Sequence, residues 1–276
     1  MNHTPLYLIP CDFTPVSESA LRIGLDLAHA NNGRVVLLHV VKNATEKREA
    51  MFKYRDLMAA QKEEERALIT TKSIIGDLFE DMSKAAELLD ADLIVMGTHG
   101  ARGMQKIFGS NAVKMISNSD VPFLITQGKK SFEKIKTIVM PFSYDKKSIQ
   151  VAAFAGKMAK KFNARIHLVA YKDKDDLHAH STRTNQIVVK TYLDENKVDF
   201  EVTSINKGDG YEKSLLEYAA SVDADLIAAG YYNDGIFTNP NSFIQAMIEN
   251  ELNLPLLTIN AEGLTSASAG SVATGY

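Results

Sequence analysis

The chain contains the same pattern twice. Residues 90–97 read Asp-Ala-Asp-Leu-Ile-Val-Met-Gly, and residues 223–230 read Asp-Ala-Asp-Leu-Ile-Ala-Ala-Gly. Six of eight positions are identical, at an offset of 133. Three further landmarks recur in the same order. Leu8-Ile9-Pro10 matches Val139-Met140-Pro141, Gly76-Asp77 matches Gly208-Asp209, and Val121-Pro122-Phe123-Leu124 matches Leu254-Pro255-Leu256-Leu257. The period is that of a whole domain, not the 20–50 residues of a solenoid repeat. The 276 residues therefore read as a tandem duplication, with one domain over 1–130 and a second over 133–260. A polar linker, Gly128–Glu133, joins them. The stretch 261–276, rich in Ser, Ala, Gly and Thr, reads as a flexible tail without a packed core.

Each half alternates strand and helix patterns. In the first, Leu6–Pro10 is a short apolar run, and Thr14-Pro15 reads as a helix cap followed by proline at the first helical position. Val35–Val41 reads as a strand and Thr45–Arg66 as one long charged helix. Leu68–Ile75 is a third strand, and Asp77 caps a helix over Asp77–Leu89. Leu93–Gly97 is a strand, Asn111–Ser119 a helix and Pro122–Thr126 the last strand. Continuously apolar strands separated by amphipathic helices predict an α/β fold, with a parallel sheet covered on both faces.

Charge and composition narrow the function classes. Lys and Arg number 31 against 34 Asp and Glu, a net charge of −3, so the basic excess of a general nucleic-acid binder is missing. The apolar runs, of which Val35–Val41 is typical, fall far short of the roughly 20 residues that span a bilayer. The opening residues lack a basic stretch leading into an apolar one, and Cys11 is the sole cysteine. A cytoplasmic protein without disulfides or membrane contact is the expectation.

In open α/β sheets, ligands bind beyond the carboxyl ends of the strands where the strand order reverses. The loop after Leu93–Gly97 holds Gly97, Gly100, Gly103 and Gly109 within 13 residues, with Arg102 and Lys106 among them. Gly109-Ser110 precedes the predicted helix, whose free N–H groups form an anion site. A tight connection with no ligand reads equally well from this loop alone. No Walker A lysine motif and no first-strand Gly-x-Gly-x-x-Gly fingerprint is present.

Taken together, Leu8-Ile9-Pro10-Cys11-Asp12-Phe13, Leu37-Leu38-His39-Val40, Asp92–Gly100 and Val121-Pro122-Phe123-Leu124 resemble the universal stress protein family. The likeness runs through the whole first half, with the second half as a worn copy. It implies two Rossmann-like domains, each a five-stranded parallel sheet in the order 3-2-1-4-5. The ATP-binding branch of the family carries Gly-x2-Gly-x9-Gly-Ser/Thr. Gly97, Gly100, Gly109 and Ser110 match it here, with a spacer of eight residues instead of nine. The resemblance implies a site for ATP or AMP, with Mg²⁺ as a companion. Pro10, Cys11 and Asp12 would line its nucleoside end, Val40 the adenine, and Met96 and Gly97 the base and sugar. Gly100, Gly109, Ser110 and Asn111 would hold the phosphates. The implied role is a nucleotide-linked regulator in a stress response. A nucleotide-independent interaction protein and a slow ATPase are the alternatives, and no catalytic residue is assigned.

The second half departs at the site. Pro141-Phe142-Ser143 replaces Pro10-Cys11-Asp12, and Tyr231-Tyr232 follows Gly230 where Gly100 has no counterpart. One nucleotide site per chain is expected. The proline-led last strands suggest edges that need pairing. From these we expect a pseudo-dimer of the halves through their last strands, a possible homodimer and an unidentified protein partner. Cys11 reads as a packed thiol. His178 and His180, two residues apart, suggest no metal site.

Overall fold

A computed structural model describes residues 3–98, 108–128, 135–172, 175–206, 210–233 and 239–262. Of the features read from the sequence, Gly100, His99, Arg102, Gly103 and Lys106 lie outside these residues. So do most of the linker, Gly208-Asp209 and the tail beyond residue 262. The chain divides into two compact units, Met1–Glu133 and Lys134–Tyr276.

The first unit runs β1 (Leu6–Pro10), α1 (Pro15–Asn31), β2 (Arg34–Val41), α2 (Ala44–Ala59), α3 (Glu63–Arg66), β3 (Ile69–Ile75), α4 (Leu78–Leu88), β4 (Leu93–Gly97), α5 (Phe108–Ser117) and β5 (Phe123–Thr126). Its strands lie in the order β3-β2-β1-β4-β5, and every described ladder is parallel. The second unit runs β6 (Thr137–Phe142), α6 (Lys147–Phe162), β7 (Arg165–Tyr171), α7 (Asp176–Glu195), β8 (Phe200–Ile205), α8 (Tyr211–Ser221), β9 (Leu226–Tyr231), α9 (Pro240–Ile248) and β10 (Leu256–Asn260). Its order, β8-β7-β6-β9-β10, is the same arrangement, again with parallel ladders. Both follow the order 3-2-1-4-5, which reverses between the first and fourth strands.

The repeated Asp-Ala-Asp has a structural cause. Asp90 and Asp223 close α4 and α8 in the left-handed region, at φ 53° and 49°. That turn lets Ala91 N–H donate to Ala86 O and Ala224 N–H to Ala219 O, both at 2.9 Å, which satisfies the last helical carbonyls. The second aspartate anchors the first strand. Asp92 Oδ2 accepts from Leu6 N–H at 2.8 Å, and Asp225 Oδ2 accepts from Lys136 and Thr137 N–H at 2.8 and 3.0 Å. The signature thus ends a helix, turns the chain and starts a central strand in both units.

Several boundaries shift by one or two residues from the sequence reading, and three changes bear on the site or have a clear cause. The helix expected over 45–66 is broken between Ala59 and Glu63. Arg22 of α1 reaches Gln61 Oε1 and Glu65 Oε1, each at 2.5 Å. Glu65 also accepts from Lys62 N–H at 3.1 Å, so a contact distant in sequence starts a new turn there. Helix α5 begins at Phe108, so Gly109 and Ser110 lie inside its first turn instead of preceding it. Strand β5 begins at Phe123, after Pro122, because proline has no N–H for the ladder. The expected Thr14 cap is present. Its side chain accepts from Ser17 N–H, and Pro15 takes the first helical position.

Candidate functional site

The switch point of the first unit lies at the carboxyl ends of β1 and β4. Alternation along the strands sorts the side chains there. A Cβ on Gly24 of α1 would meet Ile9 and Val35, so Ile9 and its register partner Leu37 face α1. Pro10, Leu38 and Val40 therefore face the other side. These residues and Met96 line one pocket with Leu78, the first residue of α4, together with Cys11, Asp12, Ser17, His39 and Gly97. The described walls enclose about 100 Å³. A complete small-molecule site usually spans about 300–1,000 Å³, so this pocket suits one end of a ligand, a flat apolar ring between Pro10, Leu38, Val40, Leu78 and Met96.

Asp12 supplies the charge at its rim. The chain turns at Phe13, which stands in the left-handed region at φ 62°. That conformation is a true outlier for a bulky residue. The Phe13 ring is held edge-on against His39 and Tyr54, with centroids 4.9 and 5.0 Å apart. The turn brings Asp12 Oδ1 onto Thr14, accepting from its N–H at 3.1 Å and its hydroxyl at 2.5 Å. Partial burial works against the charge, but the bonds from Thr14 and Ser17 outweigh it and hold the carboxyl below the usual range. Asp12 is therefore an ionised acceptor at neutral pH, with one oxygen engaged by the turn.

Cys11 has a different character. It is 4% exposed, and burial, the largest influence on it, pushes the thiol up to about 11. A neutral thiol is a poor nucleophile, so Cys11 is wall material. His39 Nδ1 lies 2.6 Å from Cys11 O. Since a carbonyl only accepts, Nδ1 carries the proton.

Gly97 has a reason of its own. A Cβ there would overlap the backbone of Val16 on α1, so this glycine is needed for helix–sheet packing even without a ligand. Thr98, next along the chain, donates its N–H to Thr126 O at 2.7 Å. Among the described residues its buried hydroxyl has no hydrogen-bond partner. Beyond it, Asn111 sits half-buried in the first turn of α5, with the backbone of Gly109 and Ser110.

Of the ten residues singled out, Pro10, Cys11, Asp12, Val40, Met96 and Gly97 meet at one pocket. Gly109, Ser110 and Asn111 open α5, and Gly100 lies outside the described residues. The sequence reading missed Ser17, Leu38, His39 and Leu78. Leu38 could have been found as the residue two before Val40 on the same strand face, whereas Leu78 arrives from another helix. Among the described residues, no group of three His, Cys, Asp or Glu side chains is placed to hold a metal ion, and no helix is long and apolar enough to cross a membrane.

At the corresponding place in the second unit, the described side chains pack on one another. Ser143 stands at the position of Asp12, 2% exposed, and its Oγ lies 3.4 Å from Tyr232 Oη. The Tyr232 ring packs over Gly230, where a Cβ would collide with it and with Val151. Asn185 donates to Tyr144 O at 2.7 Å, and Tyr144 stacks on His178 with centroids 3.9 Å apart.

Comparison with known proteins agrees with the fold of the two units. Residues 7–127 match the model of the universal stress protein family. Universal stress protein A homolog 1 of Coxiella burnetii is 25% identical over 139 residues, covering 43% of this chain and 94% of that protein. A universal stress protein from Archaeoglobus fulgidus superposes with a TM-score of 0.71 at 16% identity, covering 94% of this chain and all of that one. A putative universal stress protein from Pseudomonas aeruginosa superposes at 0.62 with 12% identity, covering 98% of this chain and 96% of its own. Over its first unit the chain is thus similar in sequence to the universal stress protein family, and the fold of both units is that of the solved relatives.

Proposed function

We propose that the first unit binds an adenine nucleotide, ATP or AMP, and that the bound nucleotide sets the state of a stress-response regulator. One observation carries this reading: Pro10, Asp12, Val40 and Met96, from three strands, line a single pocket at the switch point. The residues suit the ligand. The apolar walls accept the flat base. The ionised Asp12 accepts from ribose hydroxyls or an amino group, and repels phosphate. The Thr98 hydroxyl, without a partner among the described residues, and the first N–H groups of α5 flank in sequence the glycine-rich stretch that would hold the phosphates. Magnesium would ride on the phosphates. Nucleotide exchange, with hydrolysis at most slow, suits a protein working in the cytoplasm.

The test is mass analysis of ligand released by denaturing the purified chain, followed by calorimetry with Mg-ATP and AMP. About one nucleotide per chain, with affinity lost in Asp12→Ala, supports the reading. An empty chain that takes up neither nucleotide overturns it and favours an interaction protein. Pairing of the two halves through their last strands stays part of the proposal. Deleting 134–276 should then leave a self-associating fragment, and a stable monomer would count against it.

A further inference from the structure

Strand β3 ends the strand order of the first unit. Its backbone bonds to β2 begin with Val35 N–H donating to Leu68 O and end with Gly76 N–H donating to Val41 O. In a parallel ladder, alternate residues aim both backbone groups at the same neighbour. Leu68, Thr70, Lys72 and Ile74 therefore face β2, and Ile69, Thr71, Ser73 and Ile75 aim theirs outward. An outward row of this kind is a template for another strand.

A groove of about 350 Å³ runs beside this edge, lined by Lys47, Met51, Tyr54, Arg55 and Met58 of α2 and by Thr71 and Ser73 of β3. The helix residues recur at helical spacing along one face. Its floor is rigid, because the Tyr54 hydroxyl reaches Leu37 O and Lys72 O at 3.2 and 2.8 Å. Its rim is apolar and open. Met51 is 67% exposed, and Ile75, at the end of the strand, is 55% exposed. The walls carry Lys47 and Arg55 and no carboxylate. Arg55 is paired with the neighbouring Asp56 at 3.0 Å, which leaves Lys47 as the positive charge of the groove, and Lys72 adds another on the opposite face of the strand.

We propose that this edge and groove dock an extended, acidic and apolar segment of a partner protein, added as a further strand beside β3. Backbone groups of Thr71 and Ser73 would pair with the segment. Its alternate apolar side chains would enter the groove against Met51 and Met58, whose flexible thioethers adapt to varied shapes. Its acidic residues at the alternate positions would face Lys72, which shares the opposite face of the sheet with Leu38, and one at the end of the groove would meet Lys47. A second copy of the chain fits less well. An isologous pairing would set the same cations against each other, and like charges across a strand pair are destabilising. The edge of the second unit contrasts in charge: Asp199, just before β8, and Glu201, within it, pair with Arg165 at 2.8 and 3.9 Å.

Selection of seven-residue peptides from a phage-displayed library on the full chain tests the proposal. The expected peptides alternate aliphatic residues with Asp or Glu. Their affinity should fall at least tenfold in Lys47→Glu and in Met51→Lys, both solvent-exposed changes on α2, and should vanish in Thr71→Pro, which removes an outward N–H. Three results would overturn it. One is the absence of enriched peptides. Another is a basic consensus, or affinity unchanged by Lys47→Glu and Met51→Lys. The third is a doubling of mass in light scattering that Thr71→Pro abolishes, which would assign the edge to a second copy.

Discussion

The two units share a scaffold and differ at one place. At the carboxyl ends of β1 and β4, the first unit leaves a pocket edged by the ionised Asp12. At the ends of β6 and β9, the second puts Ser143 against Tyr232, whose ring covers Gly230. The residues common to both serve the fold. Asp92 and Asp225 anchor the central strands, and Gly97 and Gly230 each admit a helix against the sheet. A repeated motif beside a candidate site is therefore no sign of ligand binding in itself. Binding must be argued from the residues that differ.

The comparison can be strained in four ways. Gly97→Val and Gly230→Val force a side chain into helix backbone or packed rings, and each should cost about 3 kcal/mol by analogy with overpacked cores. Chemical denaturation would show a loss in both. A change tolerated at Gly97 alone would mean its role lies with the ligand. Asp12→Ala should weaken ATP binding at least tenfold, about 1.4 kcal/mol, while Ser143→Ala leaves binding unchanged. Calorimetry on both variants decides whether the site belongs to the first unit.

Asp92→Ala and Asp225→Ala should each lower stability by about 1 kcal/mol, the typical worth of a lost hydrogen bond. Equal losses would support a shared scaffold, and a neutral variant would break the equivalence. The smallest effect concerns pH. The Asp12 carboxyl is lowered in the folded chain, so its stabilising contribution is present above the unfolded value near about 3.9. It is lost as the pH falls through the folded value. Asp12→Asn should therefore be slightly less stable than the parent at neutral pH, and the difference should vanish at strongly acidic pH, where the parent carboxyl is protonated as well. Denaturant unfolding at the two pH values checks this.

Much of the fold was legible because its signals are local. Periodicity distinguished strands from helices, and Thr14-Pro15 and Asp77 marked helix starts through their own side chains. The break after Ala59 was not legible, since Arg22 from a different helix makes it. The candidate site divides the same way. Asp12 and the glycines stand out as residue types in a pattern. Leu78 enters the pocket only because α4 crosses to the opposite face of the sheet, and nothing near position 78 announces it.

By itself, the sequence determined the duplication, the alternation of strand and helix, and the loss of the acid in the second half. Each follows from residue identity and spacing along the chain. Tertiary structure decided which of those residues meet. It assigned Gly97 to the packing of α1, buried Cys11 until its thiol became inert, and turned Tyr232 into the lid of its own sheet. These outcomes depend on distances between segments far apart in sequence, which packing sets and local pattern does not encode.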